Sequence, residues 1–230
     1  MLVALFGVML CASGVLGAAL ANRIALVQDF KAGHFGDVLQ RANDADDFVS
    51  GASAFFGLTQ LAIVVLFIVW QFRAAKNNEA LERAGARFGP GWSIGAWFIP
   101  FANLVIPVLI MQDLWRGATP ATPRGDPRWR DARGSWLIAL WWTAWLVSLL
   151  RLGASNAGLH DSGSLDDIET SNTIALVGVV ATAIAAVLAA FVVWTLSRRQ
   201  LDTLRAQRLA YEGPHADEHD ATGGAATTIG

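Results

Sequence analysis

The chain is poor in charge, in cysteine and in the motifs of catalysis, and each shortage removes a class of protein. Of its 230 residues only 16% are charged while 54% are hydrophobic. That balance gathers the apolar residues into blocks too long for helices of a water-soluble core. Cys11 is the single cysteine, which excludes an intrachain disulfide and a thiolate metal cluster; its place in the first apolar block marks it as a packing residue. A net charge of −2 gives no overall attraction for nucleic acid. The segments expected to be ordered contain no glycine-rich phosphate loop, nucleophile elbow or histidine pair at metal spacing, so the chain reads as non-enzymatic, with no metal or cofactor. His215 and His219, beside Asp217, Glu218 and Asp220, come nearest to a metal set, but Pro214 and the glycine-rich end read as a solvated tail. His34 near Asp37 and His160 near Asp161 read as exposed loop histidines.

What the sequence does have is apolar length. A spanning helix takes about 20 mostly apolar residues, and residues 1–22, 51–72, 136–150 and 173–197 each lack Asp, Glu, Lys, Arg and His. The expected fold is all-α: an integral membrane bundle of four transmembrane helices at about 2–22, 51–72, 134–152 and 172–197, in one domain over 1–210, with a disordered cytoplasmic tail over 211–230. The first block has the look of a signal-peptide core over 2–10, with small residues following at Gly17, Ala18, Ala19 and Ala21. Its missing basic flank and longer apolar run favour a retained span. Ser13, Gly17 and Ala21, and Ala181, Ala185 and Ala189, recur four apart, letting helix backbones approach within the bundle; a homo-oligomer seam is the other use of such a stripe. Gln60, Thr143 and Ser148 are expected to hydrogen-bond between helices. Trp141 and Trp145 share a helical face and, with Trp142, read as bulky packing.

Charge is distributed unevenly. Arg73, Lys76, Arg83 and Arg87 follow the second block, Arg116, Arg124, Arg128, Arg130 and Arg133 precede the third, and Arg198, Arg199, Arg205 and Arg208 follow the last. Acidic residues dominate the other two loops, with Asp29, Asp37, Asp44, Asp46 and Asp47 in one and Asp161, Asp166, Asp167 and Glu169 in the other. Retention of basic loops in the cytoplasm makes those two loops external and both termini cytoplasmic. It also places both flanks of the uncharged stretch 92–110 on the cytoplasmic side, although its length would let it span. Pro100 and Pro107 lack amide hydrogens and leave the carbonyls of Ala96 and Asn103 without helical partners, which the Asn103 side chain can partly replace. Segment 92–115 is therefore expected to be a Pro-broken, re-entrant or interfacial piece, with a kinked but spanning helix as the alternative. Helical spacing also predicts a helix over 37–48 leading into the second span, a cytoplasmic projection of that span carrying a Glu79–Arg83 pair, a turn-rich loop after Trp115, and an amphipathic stub with Leu201, Leu204 and Leu209. Trp70, Trp92, Trp115, Trp136 and Trp194 fit an interfacial aromatic belt.

Taken together, Trp70, Arg73, Asn77, Leu81, Phe88, Pro90, Gly91, Trp92, Gly95, Trp97, Phe98, Pro100, Asn103, Leu104, Pro107 and Trp115 resemble the signature of the domain of unknown function 4328 family. That resemblance implies a multi-span protein of the bacterial cell membrane and supplies no activity. A basic residue often precedes the second proline in that pattern; Ile106 stands there in this chain.

The candidate site is the inward face formed by Arg73, Asn77, Trp97, Pro100, Asn103 and Pro107. Arg73 and Asn77 lie one helical turn apart and face backbone freed by the break, a combination suited to lipid headgroups or a partner protein. The competing function is a small-solute or ion channel or transporter subunit that uses the broken segment; the absence of ionisable residues deep in the four spans argues against ion coupling.

Overall fold

Helix follows apolar length in this chain and then overruns it. A computed structural model of the protein describes residues 1–34, 36–83, 85–120, 122–149 and 164–223, without the side chains of 38, 39 and 211–223. Among the described residues every regular element is helical: α1 (Leu2–Lys31), α2 (Val38–Ala80), α3 (Trp92–Gly95), a 3₁₀ turn (Ala102–Leu104), α4 (Ile106–Gly117), a second 3₁₀ turn (Pro127–Asp131), α5 (Trp136–Ser148) and α6 (Leu165–Gly223). Helices α1, α2 and α6 are long and apolar enough to cross a membrane. Helix α5 has 13 residues, about 20 Å at the α-helical rise, against a hydrocarbon core of about 30 Å; residues 150–152 of the expected third span lie outside the described residues. So do His160 and Asp161, the side chains of His215 and His219, and residues 224–230. The tail expected from Tyr211 overlaps the last turns of α6, which runs to Gly223.

The chain forms two compact units, one of Met1–Val69 with Trp136–Val193, the other of Trp70–Ser135 with Trp194–Gly230. In the first, α1 continues past its apolar block because its polar end is paired. Arg23 meets Asp46 at 3.0 Å, Gln28 donates to Glu169 at 3.0 Å, and Lys31 binds Asp166 and Glu169. The core holds Phe6, Met9, Leu16, Phe56, Ile63, Ile138 and Val179, yet Phe55, Leu58, Leu61 and Val65 of α2 and Ile174, Val177 and Ile184 of α6 are exposed. Helices apolar on both faces have lipid, not water, as their outer solvent. The chain is an all-helical membrane protein.

Small residues let α1 approach α6: a methyl group added to Gly17 would sit 3.7 Å from Leu176 and 3.9 Å from Val179. The polar residues of the spans behave differently from expectation. The hydroxyls of Thr143 and Ser148 donate to the carbonyls of Ala139 (3.0 Å) and Trp145 (2.6 Å) on their own helix, since a carbonyl three or four residues back is always in reach. Trp145 stacks on Trp142 at 4.5 Å, and Trp142 meets Trp141 at 5.4 Å. Trp141 in turn packs against Phe67 at 5.3 Å.

In the second unit α2 projects past its apolar block as expected but stops at Ala80, short of the expected Glu79–Arg83 pair. Arg83 N–H bonds the carbonyl of Asn78 at 3.1 Å and Glu82 N–H that of Glu79 at 2.8 Å, with Glu82 at φ 54°. This is the six-to-one and five-to-two pairing of a Schellman cap, whose left-handed position is usually glycine. Arg83 is thereby turned off the helix, and Glu79 pairs with Lys76 at 2.9 Å instead of with Arg83. The amphipathic stub expected past Ser197 forms as a continuation of α6. Leu201 and Leu209 are exposed, while Leu196, Gln200 and Thr203 are buried, because this stretch of α6 faces polar partners on α2.

Glu82→Gly removes the Cβ penalty at the left-handed cap, less the greater entropy glycine loses on folding. The Arg124 contact it gives up is 3.8 Å long and exposed, worth little. The variant is expected to be more stable by about 0.5–1 kcal/mol, read as a higher midpoint of thermal unfolding in detergent.

Candidate functional site

The uncharged stretch 92–110 is not one helix. Helix α3 has four residues and the following 3₁₀ turn three. Between them Ala102 N–H bonds the carbonyl of Pro100 at 2.8 Å, with Phe101 at φ 63°, ψ −37°. An i-to-i+2 bond with positive φ at its centre is the rarer, strained form of the γ-turn. Pro100 lies at the break, but Pro107 does not break anything. It lies in the first turn of α4, where a missing amide hydrogen removes no helical bond. No side chain caps the 3₁₀ turn, so the expected capping role of Asn103 is not seen either.

Two buried side chains hold the broken backbone. Gln71, fully buried on α2, donates to the Pro107 carbonyl at 3.3 Å and accepts the indole N–H of Trp97 at 2.9 Å. One amide thus ties both ends of the break to α2. Arg83, only 4% exposed, gives Nε to the carbonyl of Gly117 (2.9 Å), Nη1 to those of Thr122 (2.9 Å) and Pro123 (2.8 Å), and Nη2 to that of Thr119 (3.2 Å). Its charge faces the negative end of α4 and its fork organises the loop that follows. Burial pushes the guanidinium below its ordinary pKa, which the charge of Asp126 partly offsets; an arginine keeps its proton regardless.

Around these clamps lies a polar network. Gln200 Nε2 donates to the Ala74 carbonyl at 2.9 Å and to Asn78 Oδ1 at 3.3 Å, its Oε1 accepts from Asn77 at 3.3 Å, and Asn78 reaches the Asp113 carbonyl at 3.5 Å. Gly117 permits this approach, since a Cβ there would collide with the buried Asn78 amide. Asp113, 8% exposed, takes a two-pronged bond from Arg87 at 3.1 and 2.6 Å, which raises the Arg87 pKa. Trp129, in the turn-rich loop that follows α4, is 1% exposed.

The expected site residues divide accordingly. Trp97 and Pro107 are brought together through Gln71; Asn77 joins the Gln200 network; Arg73 and Pro100 are exposed, and Asn103 is half-buried. Sequence reasoning missed Gln71, Arg83 and Asp113. Their available signals were a glutamine at the end of an uncharged block, an arginine just past a helix end, and one carboxylate between Arg87 and Arg116.

The arrangement defines a helical membrane protein with a cation-rich polar unit built around a broken apolar segment. The family model described as Domain of unknown function (DUF4328) matches residues 37–198. The chain belongs to that family, and the match takes in α2, the broken segment, α5 and α6 as far as Arg198. No curated protein and no solved structure matches it.

Arg83→Ala strands four carbonyls and is expected to destabilise the protein by about 3 kcal/mol, with Arg83→Lys losing a large part of that because one ammonium cannot reproduce the fork. Denaturant unfolding in detergent measures the loss. Faster tryptic cleavage after Arg124 and Arg128 is the local readout.

Proposed function

We propose that the protein is a non-enzymatic, multi-pass protein of the bacterial cell membrane whose cytoplasmic face engages anionic lipid headgroups. In this reading α1, α2, α5 with its flanks, and α6 make four crossings, both termini are cytoplasmic, and segment 92–115 dips into the bilayer and returns. One observation carries it. Phe98 and Phe101 are 75% and 84% exposed on a stretch without charge, in the unit that holds every Lys and Arg of the chain except Arg23, Lys31, Arg41 and Arg151. Exposed aromatics rimmed by cations match the chemistry of a membrane interface, apolar below and anionic at the surface.

Tryptophan gives further support. Each point at which the chain passes between units carries one, at Trp70, Trp136 and Trp194. Arg198 lies over the Trp194 ring at 4.6 Å and Arg199 over Trp115 at 4.4 Å. Amphipathic rings paired with cations are suited to headgroup depth. Arg73, exposed on α2, is a snorkelling residue in this scheme. The anionic lipid acts as a counter-charge and not as a substrate.

A spin label on Phe101→Cys, in a Cys11→Ala background, is expected to collide with oxygen more than with a water-soluble nickel chelate in nanodiscs containing phosphatidylglycerol. The reverse ranking would remove the anchor and the proposal with it. A reporter inserted at Thr122 is expected on the cytoplasmic side.

A further inference from the structure

We infer that the cavity of the second unit bounded by Gly85, Arg87, Asp113, Arg116, Trp129 and Arg130 binds a phosphate group. The inference deepens the headgroup reading and rests on it for the source of the phosphate, though not for the site. Three guanidinium groups line this cavity against one carboxylate. Both oxygens of Asp113 are engaged by Arg87, and Arg116 comes no closer to that carboxylate than 3.8 Å. Among the described residues the Nε of Arg116 is buried with no acceptor, while its side chain as a whole is 31% exposed. An N–H of a charged group in that position lacks what both its charge and its geometry call for.

The cavity is built rather than incidental. Arg130 is fixed by a bond to the Gly85 carbonyl, and its guanidinium lies 5.8 Å from the centre of the buried Trp129 ring. Gly85 has φ +72°, a left-handed conformation that favours glycine at this wall of the cavity. The ligand must be an anion that offers acceptors to several forks at once. A planar carboxylate is already present as Asp113 and satisfies Arg87 alone; a tetrahedral oxyanion presents oxygens in different directions and is the natural partner of convergent arginines.

An adjoining cavity shares Gly85 and Asp113 with the first; Ala75, Phe88, Pro90, Ile110 and Leu114 give it apolar wall, and Asn78, Glu79 and Arg83 line it as well. The first cavity is thus cationic and its neighbour mixed, with a substantial apolar part. That is the profile of an amphiphile whose phosphate is attached to a glycerol and acyl portion, in preference to free phosphate.

The test uses the full chain in phosphatidylcholine nanodiscs, titrated calorimetrically with short-chain phosphatidic acid and, separately, with inorganic phosphate. Arg116→Gln and Arg130→Gln are each expected to weaken phosphatidic acid binding about tenfold or more, with Arg41→Gln, in the first unit, close to wild type. Two variants are used so that one which shifts the unfolding transition can be set aside. Saturable binding of inorganic phosphate that Arg116→Gln abolishes would support the site and assign it to a soluble phosphate. If phosphatidic acid binds equally to wild type and both cavity variants, the headgroup reading stands and this site is wrong. If neither probe binds the wild type, both fall.

Discussion

A peptide group taken out of water has to find its partner within the protein, and in a chain this apolar that constraint governs the design of the second unit. Segment 92–110 leaves the α-helical pattern at Pro100, keeps only a 3₁₀ turn at Ala102–Leu104, and returns to it at α4. Two side chains from outside the segment hold the backbone beyond the break: Gln71 at the Pro107 carbonyl in the first turn of α4, and Arg83 at the carbonyls at and after the end of α4. Both come from the last turns of α2 or just beyond them. The Schellman cap at Glu82 is what allows it. By ending α2 at Ala80 it turns the Arg83 side chain toward α4, a direction closed to an arginine continuing the helix. Local backbone chemistry at one residue thus sets the geometry of the loop after α4.

This also explains which parts of the structure could be read from sequence. Long uncharged runs impose helix wherever no proline intervenes, so α1, α2 and α6 were legible, and so was the interruption at Pro100. The identity of the interacting residues was not. Arg83 is four residues from Glu79, the spacing of a helical ion pair, and nothing in the sequence announces a cap at Glu82, because the residue there is not the glycine such caps favour. Pro107 illustrates a similar ambiguity: a proline in an apolar run either breaks a helix or begins one, and the distinction depends on where the previous helix has already ended. The amphipathic stretch of α6 past Ser197 was legible in the sequence, but not which of its residues are buried. In a polar unit the inward residues are Gln200 and Thr203, which have partners to satisfy, and Leu201 is left outside.

Counting cations by loop treats all arginines alike, whereas the structure divides them by task. Arg83 is consumed by backbone carbonyls, Arg87 by Asp113, Arg128 by Asp126, and Arg199 lies on Trp115. Asp126 is held below the usual carboxylate range mainly by its bond from the Arg128 side chain. The net positive charge that a topology rule uses is therefore mostly committed to architecture. What acts on a ligand is the local imbalance, and it is concentrated where three arginines meet the one carboxylate of Asp113.

The same reasoning in magnitudes applies to Phe101. A non-glycine residue in a strained γ-turn costs about 1–3 kcal/mol, and in water the Phe101 ring returns little of it, being 84% exposed. Glycine would then be the more stable choice. Moving a phenylalanine ring from water to hydrocarbon contributes about 1.5–3 kcal/mol, comparable to the strain. In the proposed membrane reading the turn reaches balance with its tip in lipid, and the more so because Phe98, three residues earlier, is exposed as well. A bend that is unfavourable in water and near neutral in a bilayer would then favour the proposed membrane-inserted state of the segment.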